Sequence, residues 1–168
     1  RSSDLFSASN TLMFSTVEGR PGTDVRVRRA IALAVDEKMA YERAFEGEFL
    51  SSKVLFTEDS RWHSDASVGH ETDPEQAKAL LEEAMADGYD GRIRFLGTTE
   101  PIAMTVKAQL ESIGFTVDVT IQRNVTDVIT LVMSGDYDIA AWAINIREFD
   151  PYPKLAATQY STGTQVYG

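Results

Sequence analysis

The chain has 168 residues, 43% hydrophobic and 25% charged, the balance of a soluble globular protein with enough length for one real core. Its 16 basic and 26 acidic residues leave a net charge of −10, a field that repels nucleic acid and anionic lipid headgroups. It has no cysteine, which rules out disulfides, zinc-thiolate sites and cysteine nucleophiles, and no apolar run near the length of a membrane span.

Arg1–Asn10 lacks an apolar h-region, so no signal peptide is expected in it; the chain opens as an excised fragment would. Asn10–Thr16, "NTLMFST", reads as a short buried strand, and "EGRPGTD" after it as a loop. Asp24 is placed to cap a helix running to Asp36, in which Val27, Ala30, Ile31 and Ala34 recur at helical spacing and form a core stripe. Arg26, Arg28 and Arg29 fall off that stripe. Three arginines so close together invite a nucleic-acid reading. No interleaved aromatics and no wider basic field support it, so they are expected on a solvated face.

A second helix is expected from Glu37 to Phe45, ended by Gly47. The segment from Phe49 to Thr72 is irregular and polar. His63, Asp65, His70, Glu71 and Asp73 cluster near its end, but their spacing fits no metal-ligand motif, so no metal site is expected. Then "TDPEQAKALLEEAMADG" carries a helix-start signature: Asp73 as N-cap, Pro74 at the first helical position and Gln76 completing a capping box. Ala77, Leu80, Leu81 and Ala84 make its apolar face, and Gly88 its stop.

From Arg92 strands and helices alternate. "RIRFLG" is a strand; Ile102, Val106, Leu110 and Ile113 make a helix face stopped by Gly114; "FTVDVTIQ" is a strand. Val125, Val128, Ile129 and Val132 suggest a further helix, ended by Gly135, and "YDIAAWAI" a buried strand. This βαβαβ order implies an α/β sheet with helices on its faces, and ligands of such sheets sit beyond the carboxyl ends of the strands. That directs attention to Thr98–Ile102, Arg123–Thr126 and Asn145–Tyr152. Trp142, near a strand end, is either core or a ligand platform. Asn145, Arg147, Glu148 and Asp150 sit in the Pro-stiffened "NIREFDPYP" that follows. Asn124-Val125-Thr126 is a glycosylation sequon, a triplet frequent by chance. There is no Gly-x-Ser-x-Gly elbow, dinucleotide-binding turn or P-loop, and no catalytic residue, cofactor or metal is expected.

Phe14–Gly47, "FSTVEGRPGTDVRVRRAIALAVDEKMAYERAFEG", closely resembles a signature stretch of the family 5 extracellular solute-binding proteins, the peptide- and nickel-type receptors of ABC importers. "TDPEQAKALLEEA", "LESIGFTVDV" and "SGDYDIAAWAI" with Asp150-Pro151 resemble successive later pieces of that family, in its order and spacing, from about Asn10 onward. The resemblance implies most of the second lobe of a two-lobed receptor. The expected fold is a type II periplasmic-binding-protein-like lobe, a central mixed sheet flanked by helices, with residues 1–168 as one domain and the first lobe and C-terminal return outside it. It implies capture of a small or peptide solute, monomeric behaviour, permease subunits as partners, no nucleic acid, and a periplasmic or extracellular place with a lipid anchor as an option. In the peptide receptors an aspartate three residues after the strand-end tryptophan holds the ligand's α-amino group. Counted from Trp142, that position is Asn145, which has no charge to offer an ammonium. Asp150 is available to replace that charge, and Arg147 to meet a ligand carboxylate; Thr99, Glu100 and Ile102 match a second ligand-facing loop in position. The same lobe fused to a DNA-binding regulator would read identically, and a hydrolase using His63 or His70 is a third reading.

Overall fold

The structure is a computed structural model, and it describes residues 6–44, 56, 58, 60–66, 69, 71–147 and 150–159, with side chains left aside at 6–10, 41, 44, 143–147 and 157–159. The elements in chain order are β1 (Phe6–Phe14), α1 (Val25–Ala34), α2 (Glu37–Ala44), α3 (Pro74–Ala86), β2 (Arg92–Gly97), α4 (Glu100–Ser112), β3 (Thr116–Ile121), α5 (Val125–Met133), β4 (Ile139–Arg147) and α6 (Tyr152–Gln159). Gly47, the expected stop of the second helix, lies outside the described residues.

Local chemistry accounts for the helix starts. The Asp24 carboxylate accepts the Arg26 N–H at 2.8 Å, that of Asp36 the Met39 N–H at 3.1 Å, and that of Asp73 the Gln76 N–H at 2.9 Å. The capping box at Asp73 is half of what its spacing suggests: the Asp73 N–H goes to the Leu33 carbonyl at 2.9 Å, which pins the start of α3 to the end of α1. Gly88, Gly114 and Gly135, at φ of +104°, +114° and +67°, stop α3, α4 and α5 in the left-handed conformation that spares other residues a Cβ clash.

The sheet has the order β1-β4-β2-β3. Strand β2 pairs in parallel with β3, Arg92 opposite Thr116 through Gly97 opposite Ile121, and in parallel with β4, Phe95 opposite Ile139. The N–H of Ser15, just past β1, donates to the carbonyl of Asp138, just before β4, at 2.9 Å. Those strands therefore run antiparallel and the sheet is mixed. Helix α1 packs on α3, α2 on α4, and α4 on β2 and β3. Val27, Ala30, Ile31 and Ala34 of α1 are all buried, as their spacing predicts, in one cluster with Ala77, Leu81 and Ala84 of α3, Ile93 and Phe95 of β2, and Val106 and Leu110 of α4.

The arginines of α1 are more than a solvated face. Arg26 bonds the Asp24 carboxylate at 2.7 Å and Asp87, just past α3, at 2.6 Å, while Arg28 donates to the Gly22 carbonyl at 2.6 Å. Only Arg29 is simply exposed. They clamp the helix to its neighbours with the acceptors that an acidic chain supplies.

The helix suggested by Val125, Val128, Ile129 and Val132 is present as α5, with Val128 and Val132 buried and Val125 and Ile129 exposed. One expectation needs correcting. Asn145 and Arg147 belong to β4, not to a loop after it, because the antiparallel neighbour β1 is equally long and supplies a ladder along the added length.

The chain divides into two compact units. One comprises Leu12–Ser51 and His70–Ala141 with Gly168, and holds α1 to α5, β2, β3 and the core cluster; the other comprises Arg1–Thr11, Ser52–Gly69 and Trp142–Tyr167, and holds α6. No helix among the described residues is long and apolar enough to cross a membrane.

Candidate functional site

Strands β2 and β3 are parallel and in full register, so their carboxyl ends stop together at Gly97 and Ile121, where the Gln122 N–H donates to the Gly97 carbonyl at 2.9 Å. Gly97 is required there. A Cβ on it would lie 2.8 Å from the Ala103 Cβ and 3.0 Å from the Ile121 Cδ1, so its absence lets the first turn of α4 sit directly on the strand end. The chain leaves that point through Thr98, Thr99 and Glu100, all exposed. The Thr99 carbonyl opens α4 by accepting the Ala103 N–H at 3.0 Å, while its hydroxyl makes no capping bond. The first-turn amides of α4 therefore lack a side-chain cap, and Pro101 at the helix start removes one donor from the set.

The next strand-end loop comes to the same place. Arg123, just past β3, holds the Glu100 carboxylate at 3.6 Å, and both side chains are largely exposed. Asn124 then caps α5, its side-chain oxygen accepting the Thr126 N–H at 3.0 Å. The structure thus brings together Thr99, Glu100 and Arg123 at one carboxyl edge. Ile102 is half-buried and packs on the core cluster beneath that edge.

The remaining candidates sit along the last part of the chain. Trp142 is half-buried within β4, and Asn145 and Arg147 follow in the same strand, their side chains outside the described set. Asp150 is exposed, and its carboxylate accepts the Tyr152 N–H at 3.3 Å at the start of α6, so part of its capacity is committed locally. Helix α6 itself is unforeseen in the sequence reading. Its signal was present, since Asp150 followed by Pro151 is an N-terminal pattern.

Of the histidine cluster, His63 donates or accepts at both ring nitrogens, Nδ1 with the Phe56 carbonyl at 3.0 Å and Nε2 with Asp65 at 3.3 Å. The bond to the Phe56 carbonyl raises its pKa above 6.5 despite desolvation, with Asp65 adding to the rise. His70 lies outside the described residues, and among those described no three His, Asp or Glu side chains are grouped to hold a metal.

Sequence reading missed one polar network. Asp138 is 4% exposed; its Oδ2 accepts the Arg94 backbone N–H at 2.7 Å, and its Oδ1 meets guanidinium nitrogens of Arg94 at 3.4 Å and Arg20 at 3.5 Å. Asp136 meets the same two arginines, at 2.8 Å and 3.4 Å. Burial opposes the charge on Arg94, and the bond to Asp136 with the charge of Asp138 outweighs it, so the guanidinium is held above its ordinary pKa. The network joins the loop after β1, the strand β2 and the start of β4. It gives the "GDYD" stretch a scaffold role, with Tyr137 buried between the two acids in sequence.

Three parallel strands with an antiparallel edge strand, helices packed over the sheet, and open loops at the carboxyl edge define one lobe of a type II periplasmic binding protein. CtaP, an ABC transporter substrate-binding protein from Listeria monocytogenes, has this fold, with a TM-score of 0.80 over 96% of this chain and 34% of its own, at 18% identity. AgaA from A. tumefaciens R10, solved with agropinic acid, has a TM-score of 0.75 at 26% identity, over 96% of this chain and 33% of its own. The dipeptide-binding protein of Escherichia coli K12 is 35% identical over 68 residues, which are 40% of this chain and 13% of that protein.

The chain belongs to the bacterial extracellular solute-binding proteins, family 5: residues 6–165 match the family's middle region. It spans about a third of the length of these solved relatives. The family is one of binding proteins serving ABC transporters, of the peptide and nickel type.

Proposed function

We propose that this chain forms most of the second lobe of a two-lobed receptor that captures a small solute outside the cytoplasm and delivers it to the permease subunits of an ABC importer. The observation that carries the proposal is the carboxyl edge of β2 and β3, where Thr99, Glu100 and Arg123 meet on an uncapped helix start. Such an edge is where ligands of open α/β sheets bind. Thr99, Glu100 and Ile102 are assigned to one wall of the cleft, and Trp142, Asn145, Arg147 and Asp150 to the ligand-facing part of the last strand and its exit. Trp142 offers an apolar platform, Asn145 a neutral hydrogen-bonding group, and Arg147 and Asp150 opposite charges for a zwitterionic or carboxylate-bearing solute. The dipeptide and agropinic acid named with two relatives fall in that class. The receptor acts by binding, as a monomer in the periplasm or at the cell surface.

The test is titration calorimetry on the full-length receptor with the solute that native mass spectrometry finds retained on purification. Trp142→Ala and Asn145→Ala are each expected to weaken binding about tenfold or more, a loss of about 1.4 kcal/mol, with thermal unfolding of the protein preserved. Unchanged affinity in both variants would remove these residues from the site.

A further inference from the structure

Strand β3 ends the sheet: in the order β1-β4-β2-β3 it has β2 on one side, and among the described residues no strand pairs with the other. Its backbone groups divide between the two sides. The Thr116 N–H donates to the Gly91 carbonyl and the Gln122 N–H to the Gly97 carbonyl, both at 2.9 Å. Residues two apart along a strand point their backbone groups the same way. Thr116, Asp118 and Thr120 therefore serve the ladder with β2, and Val117, Val119 and Ile121 turn theirs to the open edge. The strand, "TVDVTI", is rich in β-branched residues, carries one charge and has neither proline nor glycine, the composition of a segment that readily pairs with its like. One group on that edge is taken. Lys107 of α4 donates from its Nζ to the Val117 carbonyl at 2.6 Å and is steadied by Glu111, four residues on, at 3.2 Å. The Lys78–Glu82 pair of α3 has the same spacing, but the Lys78 side chain is 60% exposed where that of Lys107 is 33% exposed.

We propose that Lys107 guards the open edge of β3, and that the partner it excludes is the β3 edge of a second copy of the molecule. The geometry of self-pairing singles out the carbonyl it holds. Two antiparallel β3 strands related by a two-fold axis at Val119 would exchange bonds between the two Val119 residues, and between Val117 of each and Ile121 of the other. The Val117 carbonyls of both copies are then required acceptors. The same register sets Asp118 opposite Thr120, so no like charges face each other across the axis. Pairing of this kind is held by main-chain bonds, and an ammonium seated on the acceptor in a charge-assisted bond has to be displaced first. The net charge of −10 also holds copies apart, but it acts over the whole surface, whereas Lys107 acts on one edge. Solute capture plays no part in this device, which gives the proposed monomer a physical cause.

The test is sedimentation velocity on the full-length receptor carrying Lys107→Met, which keeps the apolar stem, or Lys107→Arg, which keeps the charge, with circular dichroism as the check on folding. Each displaced ammonium is worth about tenfold, and a two-fold pairing displaces one from each copy. Lys107→Met is therefore expected to lower the dimer dissociation constant about a hundredfold, with Lys107→Arg like wild type. Net charge alone predicts the reverse, since removing one positive charge takes the chain from −10 to −11. In the Lys107→Met background, Thr120→Lys, opposite Asp118 of the second copy, is expected to tighten the dimer about threefold, and Thr120→Asp to loosen it as much. A Lys107→Met receptor no more associated than wild type overturns the inference. Association indifferent to the charge at position 120 overturns it too, because the contact then lies elsewhere. Should Lys107→Met not fold, Lys107→Gln carries the same expectation; loss of the fold in both makes the lysine a structural prop and overturns the guard. Solute titration on the same variants is expected to match wild type, so a receptor that binds no solute sinks the proposed function alone.

Discussion

Replacing Asp138 with alanine is expected to destabilise the chain by about 2–3 kcal/mol, through its lost hydrogen bonds more than through lost charge. The carboxylate is 4% exposed and accepts the Arg94 backbone N–H at 2.7 Å. Truncation leaves that amide, within a central strand, without its acceptor, which costs about 1–3 kcal/mol. The guanidinium partners behave differently. The side chains of Arg94 and Arg20 are 43% and 27% exposed, and both already touch Asp136, so they can turn to that carboxylate and to water. Their contribution is therefore nearer that of a surface pair, at most about 1 kcal/mol, than the 3–5 kcal/mol of a fully buried one. Asp138→Asn keeps an oxygen for the amide and is expected to cost about 1 kcal/mol, and Asp136→Ala, at an exposed site, less than that. Urea unfolding followed by far-ultraviolet circular dichroism, at constant m, gives the three values. If Asp136→Ala costs as much as Asp138→Ala, the backbone amide is not what Asp138 serves and the argument is wrong.

Ile31→Ala, at a fully buried position, is expected to lower stability by about 2–5 kcal/mol in the same assay; a cost below 1 kcal/mol would contradict the packing of α1 on α3. Gly22→Ala would place a Cβ 2.1 Å from the Ser15 carbonyl oxygen, so backbone must shift, and a loss of about 1–3 kcal/mol is expected in thermal unfolding. The Arg26 hydrogen bond holds the Asp24 carboxyl below its ordinary pKa, so the stabilisation is present above the unfolded-chain value near 3.9 and is lost as pH falls through the lower folded value. The wild-type advantage over Asp24→Asn in urea midpoint should accordingly shrink between about pH 5 and about pH 3; an advantage independent of pH would count against the pair. His63 should titrate above 6.5 by proton NMR, with its stabilisation complete below 6.5 and lost as pH rises through the folded value; titration at or below 6.5 would mean the Phe56 carbonyl is not its partner.

The features that the sequence by itself determined are those whose physics acts over a few residues. Asp24 and Asp73 each cap the turn that follows them, Gly88 and Gly114 end the helices they close, and one apolar stripe per helix located the inner faces of α1, α3 and α4. The strand-end segments around Thr99 and Arg123 were legible too, because alternation of strand and helix fixes where loops emerge from a parallel sheet. The tertiary structure decided what depends on partners far along the chain. Val125 and Val128 are the same residue type three positions apart, and only the tertiary packing makes one exposed and the other buried. Asn145 joined a strand because β1, more than a hundred residues earlier, continues alongside it. Buried Asp138 takes its partners from Arg94 and Arg20, which are 44 and 118 residues away in sequence. Local propensity carries no term for such pairings. A polar or ambiguous residue takes its place only when the fold closes around it and the cost of leaving a buried group unsatisfied selects the partner.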